Sequence, residues 1–424
     1  MKRKNKHPIS PVRRKKVAFI SDAIATSSFT QRILSGIAGY LQRRRGIILQ
    51  QVPFGEIAND APGGQFDGII SNLSAKNTRM LLKMLDGANL PIVDISAETE
   101  DPALARVDID IVRDGAIAAE WFLRRGFRNF AYCGFHGTDA YPFDAVVEKA
   151  FTETAEKAGG QCIVFDMPHV TNGSKRYLRI LQLAIEKWVA TLPPHTAVLC
   201  VQDRRASILA QTCLNFGRAV PDDIAIMGRH NDITTCIFAP VSISSVNPDL
   251  ERLGYAAMRL LAHAIDHPAA PKLRPVLSIP PLGIVEREST AVYPVDPPFL
   301  AKALQLVDEN MSRHVTAAAL ADAVGVAVST LRTSFKKVLG TSLGKYALSV
   351  RMREARRLMM EEHFSVKEVA TRTGFSSQAY FSAAYRAFYG CQPSKTRPLP
   401  PVRDTDFLAG RSPAIRTGGH GRRG

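Results

Sequence analysis

Two stretches near the C-terminus set hydroxyl, amide and cationic side chains against an apolar stripe at helical spacing. In the first, Ala319 to Gly340, Leu331 and Phe335 stand four residues apart and are expected to face inward. Ser329 is placed to cap that helix, and Thr330, Arg332, Thr333 and Lys336 then point outward. In the second, Phe381, Tyr385 and Phe388 are read as the inward stripe, which leaves Ser377, Gln378, Ser382 and Arg386 outward. Groups of these types donate to phosphate oxygens and to the acceptor edges of bases in a major groove. The apolar positions alone would suit the core of any helical domain; the polar set on the opposite face is what a core does not explain.

The elements that must position these groups are short helices around a glycine. Leu320–Val324 gives a short helix, Gly325 a tight turn, and the polar helix follows. Val369–Gly374 repeats the layout ahead of Ser376–Phe388. Helix, glycine turn and helix is the arrangement that lays a second helix into a major groove. Between the two units, Lys345–Met360 is long enough for a four-turn helix, with Arg351, Arg353, Arg356 and Arg357 as its polar face. Ser365-Val-Lys-Glu368 reads as a capping box opening a further helix.

Charge points the same way. The 424-residue chain carries a formal net charge of +16, unevenly spread. Residues 1–16 hold eight Lys and Arg and no acid, residues 17–298 are close to neutral, and residues 299–398 are again basic. Basic ends on a neutral body suit a polyanionic partner. No apolar run approaches membrane-spanning length, and the stretch after the basic start, Val17–Ile20, is too short for a signal peptide. A cytoplasmic protein with no membrane partner is expected. The six cysteines form no C-x-x-C pair and no metal-ligand spacing, so buried reduced thiols and no cofactor are expected. No Gly-rich phosphate loop and no H-E-x-x-H is found in the sequence, which argues against an enzyme.

Upstream, short apolar runs alternate with amphipathic segments. Strand-like runs are Val17–Ile20, Ile47–Val52, Gly68–Leu73, Ile92–Ile95, Phe130–Phe135, Cys162–Phe165, Val198–Val201 and Ile224–Met227. Helical segments such as Phe29–Arg44, Ala116–Arg125 and Arg204–Phe216 lie between them. This alternation predicts parallel sheets covered on both faces, in two α/β subdomains. A basic arm over 1–16, an α/β region over 17–292, a stiff Pro-rich linker over 293–298, an all-α region over 299–398 and a disordered tail over 399–424 follow.

In a two-lobed α/β protein the ligand is taken at the carboxyl ends of the strands. The polar residues there are Ser21, Asp22, Asn72, His136, Asp203, His230, Asn231 and Asp232. Carboxylates and amides suit the vicinal hydroxyls of a sugar. The competing reading for each, strongest for Asp22 and Asp203, is a loop residue capping the next helix.

The stretches Ala319–Gly340 and Gly374–Arg397, with the long helix between them, resemble the AraC/XylS-type DNA-binding domain. The resemblance covers about Phe299 to Arg397 and implies recognition helices at Ser329–Val338 and Ser377–Tyr389. Residues 17–290 resemble the LacI/GalR-type sensor, a fold shared with periplasmic sugar-binding proteins. The resemblance is carried by FDGII at Phe66–Ile70, PIVDIS at Pro91–Ser96, AVLCVQDRRA at Ala197–Ala206 and VEREST at Val285–Thr290. It implies effector contact at Asp203, a homodimer, a hinge near Val107–Val112, and a linker that passes lobe motion to the DNA-binding domains. Two departures stand out: His230 occupies a position usually held by Asp, and Val146 and Val147 stand where an Arg is common. The family's ligand is therefore not carried over with the fold.

The expected function is a regulator that binds double-stranded DNA under control of a small polar effector, most simply a monosaccharide. RNA polymerase is a further candidate partner. The alternative is an effector-independent regulator whose N-terminal fold only dimerises.

Overall fold

The computed structural model describes residues 14–22, 27–44, 46–57, 65–86, 90–98, 101, 104–134, 142–165, 177–268, 275–310, 316–361 and 364–396. The chain divides into two compact units: one takes residues up to Ile109 together with Asp249–Ile279, the other Asp110–Pro248 and everything from Pro280. Chain passage at 109–110, 248–249 and 279–280 includes the crossing expected near Val107–Val112.

The first unit is one α/β lobe. Strands β1 (Lys15–Ser21), β2 (Ile47–Pro53), β3 (Gly68–Asn72), β4 (Ile92–Asp94) and β5 (Ala105–Ile109) alternate with α1 (Ser28–Arg43), the one-turn α2 (Phe54–Ile57) and α3 (Ala75–Met84). The later segment adds α9 (Leu250–Asp266) and β11 (Val276–Ile279). The sheet runs β11-β5-β4-β3-β1-β2, with every pairing parallel. Val17, Ala18, Phe19 and Ile20 are all fully buried, as a central strand covered on both faces requires. Arg32 on α1 donates twice to Glu251 on α9, at 2.9 and 3.0 Å, tying the two helices together.

The second unit opens with a similar lobe. It contains α4 (Ile111–Arg124), β6 (Asn129–Cys133), α5 (Pro142–Lys157), β7 (Gln161–Val164), α6 (Tyr177–Thr191) and β8 (Thr196–Cys200). Then come α7 (Asp203–Asn215), β9 (Ile224–Arg229), α8 (Ile233–Phe238), β10 (Ser244–Asn247) and β12 (Gly283–Val285). The sheet order is β12-β10-β9-β8-β6-β7, parallel except for β12 on its edge. One face packs on α6 and α7 through Leu181, Ile185, Leu209 and Cys213; the other packs on α4 and α5 through Phe122, Val147 and Phe151.

All eight anticipated strands are present, and β5, β10, β11 and β12 join them. Strand β10 reads Ser-Ser-Val-Asn, too polar to signal a buried strand. Its serines are satisfied inside: Ser244 Oγ lies 2.7 Å from Thr290 Oγ1, and Ser245 Oγ donates to Asp203 Oδ1 at 2.6 Å. The first strand starts at Lys15, so Lys15 and Lys16 belong to the sheet and not to the basic arm; the Lys16 amide donates to Asp67 Oδ2 at 2.8 Å. Residues 1–13 of that arm and the expected tail over 399–424 lie outside the described residues.

The same unit continues into helices α10 (Pro298–Glu309), α11 (Ala317–Ala323), α12 (Val328–Leu339), α13 (Leu343–Glu361), α14 (Val366–Arg372), α15 (Gln378–Tyr389) and α16 (Pro393–Thr396). They enclose two small cores. Leu300, Leu304, Leu320, Leu331 and Phe335 form the first; Val369, Phe375, Phe381 and Tyr385 form the second. Helix α13 serves both, giving Tyr346 and Val350 to the first and Met352, Leu358 and Met359 to the second. Among the described residues no helix is long and apolar enough to cross a membrane, and no cluster of His, Cys, Asp and Glu could hold a metal ion.

Candidate DNA interface and effector site

The two helix-turn-helix units form as the sequence suggests. Helices α11 and α12 flank Gly325, and α14 and α15 flank Gly374; both glycines are left-handed, with φ of 69° and 71°. Thr316 and Ser377 cap α11 and α15. At α14 the Ser365–Glu368 capping box is complete in both directions, at 2.8 and 3.2 Å.

On α12, Leu331 and Phe335 are fully buried, while Ser329, Thr330, Arg332, Thr333 and Lys336 are exposed. Ser329 does not cap the helix: Ala327 is the N-cap, and Ser329 is the second helical residue, free to face outward. Around α15, Ser377, Gln378 and Arg386 are exposed and Ser382 is half-buried.

The inward stripe of α15 differs from expectation at its end. Phe388 is 44% exposed. The row that packs is Phe381, Tyr385 and Tyr389, a straight i, i+4, i+8 ridge with ring centroids 5.6 and 4.6 Å apart. Tyr389 also donates to the Met352 carbonyl at 3.2 Å, anchoring the ridge to α13.

The arginines of α13 are not a free basic face. Arg351 lies over Phe375 at 4.7 Å, Arg353 over Trp121 at 5.7 Å and Arg356 over Tyr389 at 5.3 Å, and Arg357 pairs with Glu354 at 2.8 Å. Cation–π contacts at half-buried positions hold these side chains against neighbouring rings.

At the α/β lobes, Ser21, Asp22 and Asn72 stand where strand order reverses, while Asp203 follows β8 and residues 230–232 follow β9. Leaving aside the edge strands β11 and β12, each sheet is ordered second, first, third, fourth, fifth, and the switch between first and third strands is where open α/β sheets take a ligand. In the first lobe that switch lies between β1 and β3, where Ser21 and Asn72 are register partners. Asp22 follows, its two oxygens accepting from the Ser74 amide at 2.9 Å and from Asn77 Nδ2 at 2.7 Å. It thereby ties the β1 end to the start of α3.

In the second lobe the switch lies between β6 and β8. His136 lies outside the described residues. Asp203 starts α7 but is buried, with Oδ2 accepting from the Asp232 amide at 2.7 Å and Oδ1 from Ser245 Oγ at 2.6 Å. Burial pushes its carboxyl up to about 7 despite those bonds. A Cβ on Gly228 would sit 2.2 Å from Asp203 Oδ1, so only glycine lets this carboxylate lie over β9.

His230 and Asn231 are consecutive left-handed residues, with φ of 92° and 51°. Strain of this kind persists only when neighbours over-determine it. Asn231 donates its amide to Ser245 Oγ at 2.9 Å and accepts from Arg287 Nη2 at 2.8 Å; Asp232 caps α8 through Thr235. Asp203, Ser245 and Arg287 therefore hold the 230–232 loop, and that loop is what the lobe presents.

Sequence reasoning missed the charges beneath this loop. Arg229, the last residue of β9, is 1% exposed. Its Nη2 and Nε donate to Asp114 Oδ2 at 2.8 and 3.3 Å, and its Nη1 donates to the Val201 carbonyl at 3.2 Å. Tyr132 hydrogen-bonds Asp144 close by. Burial raises the Asp114 carboxyl, with Arg229 opposing the shift. An arginine closing the apolar run Ile224–Arg229 was the available signal.

Residues 119–290 match the family model for a periplasmic binding protein-like domain, and residues 320–398 match that for a helix-turn-helix domain. The chain therefore carries a periplasmic binding protein-like domain followed by a helix-turn-helix domain. It is similar to the xylose operon regulatory protein of Escherichia coli (strain K12), at 25% identity over 335 residues, covering 72% of this chain and 83% of that one. In fold it is similar to the structure of a xylose-binding transcription activator, with a TM-score of 0.57 and 21% identity over 91% of this chain and 98% of the other. It is likewise similar to the transcriptional regulator CelR in its cellobiose complex, with a TM-score of 0.54 and 20% identity over 66% of this chain and 86% of the other.

Proposed function

We propose that this regulator binds a specific DNA site through α12 and α15 and is controlled by a sugar, or a similar small polar effector, taken at the carboxyl ends of the strands. The observation that carries the DNA reading is the exposure of Thr330, Arg332, Thr333 and Lys336 on α12 and of Ser377, Gln378 and Arg386 at α15, each above a buried apolar row. The effector reading is supported by the strained His230–Asn231 loop at the end of β9 and by the sugar-related names of the relatives. Ser21, Asp22, Asn72, His136, His230, Asn231 and Asp232 are the contact candidates, and Asp203 acts through the loop it holds.

The protein works in the cytoplasm as a homodimer. Helix α8 turns Ile233, Ile237 and Phe238 outward, with Phe238 83% exposed, and an apolar face of this kind suits a second copy of the chain. The basic N-terminal arm adds affinity for DNA without adding sequence preference.

A thermal-shift screen of the full chain against pentoses, hexoses, disaccharides and sugar phosphates tests the effector reading. A ligand at a hundred times its dissociation constant stabilises by about 2.7 kcal/mol. A hit lost on Asn231→Ala or His230→Ala supports the assignment. No hit in the panel, or a hit indifferent to both substitutions, sinks it and leaves a fold that only dimerises.

A further inference from the structure

Where the second α/β lobe meets the helical region, side chains from the lobe, the Pro-rich segment and the DNA-binding helices share one buried cluster. The Arg125 guanidinium is sandwiched between the rings of Trp121 at 4.6 Å and Tyr293 at 4.5 Å. Its Nη1 donates to the Thr290 carbonyl at 3.1 Å, and its Nη2 pairs with Glu286 and lies 3.5 Å from Asp308 on α10. Asp308 Oδ2 also accepts from the Tyr293 hydroxyl at 2.5 Å and from the Tyr346 hydroxyl of α13 at 3.3 Å. Arg353 of α13 stacks on the same Trp121. A few residues on, Arg128 Nη2 donates to the Val338 carbonyl at 3.0 Å, which places a cation on an orphan carbonyl in the last turn of α12.

We infer that Arg125 is the positioning residue that fixes the DNA-binding helices on the second lobe, with Arg128 as a second hold on the C-terminal end of α12. The segment 293–298 is then not a spacer. Tyr293 and Val295 pack on the first helical core, and Pro298 opens α10. The cluster belongs to α4, whose other end carries Asp114, the partner of Arg229 beneath the 230–232 loop. One helix about 21 Å long therefore joins the proposed effector end to the DNA-binding end. Its part in effector control rests on the reading above; the hold itself does not.

Hydrogen–deuterium exchange on the full chain, with no effector added, tests the hold. In Arg125→Met, amides of α10 and α12 should exchange about tenfold faster or more, while β6, β8 and β9 keep their protection. Arg125→Lys keeps the charge but loses the flat stacking surface and the fork, and should fall between the two. The chain has two tryptophans, so Trp188→Phe leaves Trp121 as the reporter, and its quenching by acrylamide should rise in step with the α10 and α12 exchange. Unchanged exchange in α10 and α12 would overturn the inference, as would an equal loss in the lobe's own strands. Should Arg125→Met fail to fold, Arg128→Ala, at an exposed position, must still loosen the last turn of α12, and an unaltered rate there is equally fatal. A failed sugar screen leaves these rates untouched, so the two readings fail separately.

Discussion

At the level of single residues, buried charge decides what the sensor can do. Asp203 has its carboxyl raised from 3.8 to about 7 by burial. A folded value above the unfolded one means the folded state holds the proton more tightly. The stabilisation is fully present below about pH 4 and is lost as pH rises through about 7. Asp203→Asn should therefore remove up to about 1.4 kcal/mol per pH unit from the slope of unfolding free energy between those limits. Urea titrations at several pH values would show it, and an unchanged slope would mean that the carboxyl titrates normally. The Arg229–Asp114 pair makes a separate prediction. Asp114→Ala leaves a buried cation alone and should cost about 3–5 kcal/mol, whereas Arg229→Met combined with Asp114→Leu should recover most of it. A double variant as unstable as the single one would show that the pair is not the source of the loss. The partners of neither are visible in sequence: Asp203 read as a cap or a contact, and the groups it bonds, Asp232 and Ser245, lie 29 and 42 residues away.

At the level of elements, local chemistry made most of the molecule legible. Strands β1, β3, β8 and β9 announce themselves by continuous apolar runs because both their faces are covered. Strand β10 does not, since its burial is met by hydrogen bonds to residues near 203 and 290 that no local window contains. The glycine turns and the Ser365 capping box were readable for the opposite reason, because their whole geometry spans a few residues. Ser365→Ala should destabilise α14 by roughly 1 kcal/mol, seen as faster amide exchange confined to the second helix-turn-helix. Phe388 misled because Phe381, Tyr385 and Phe388 fit a helical stripe as well as Phe381, Tyr385 and Tyr389 do; only the position of α13 separates them. The arginines of α13 misled similarly, since a row of cations looks basic until its aromatic partners are known.

At the level of the whole molecule, the charge distribution and the paired units describe one task. The α/β region is near neutral and the helical region is basic, which suits attraction of a polyanion to the helical region. With the α13 arginines engaged by rings and by Glu354, the proposed function gives the reading of bases to α12 and α15. The measurement that bears most directly on this is selection of duplexes by the full chain from a randomised library, followed by sequencing. Two units on one connecting helix predict a two-part site per subunit, its halves centred about 10 base pairs apart. Arg332→Ala should erase preference in one half and Gln378→Ala in the other, each losing on the order of 1–3 kcal/mol on the selected site and little on random duplex. Recovery of no preferred sequence, or of a single short motif that both substitutions leave intact, would contradict the account.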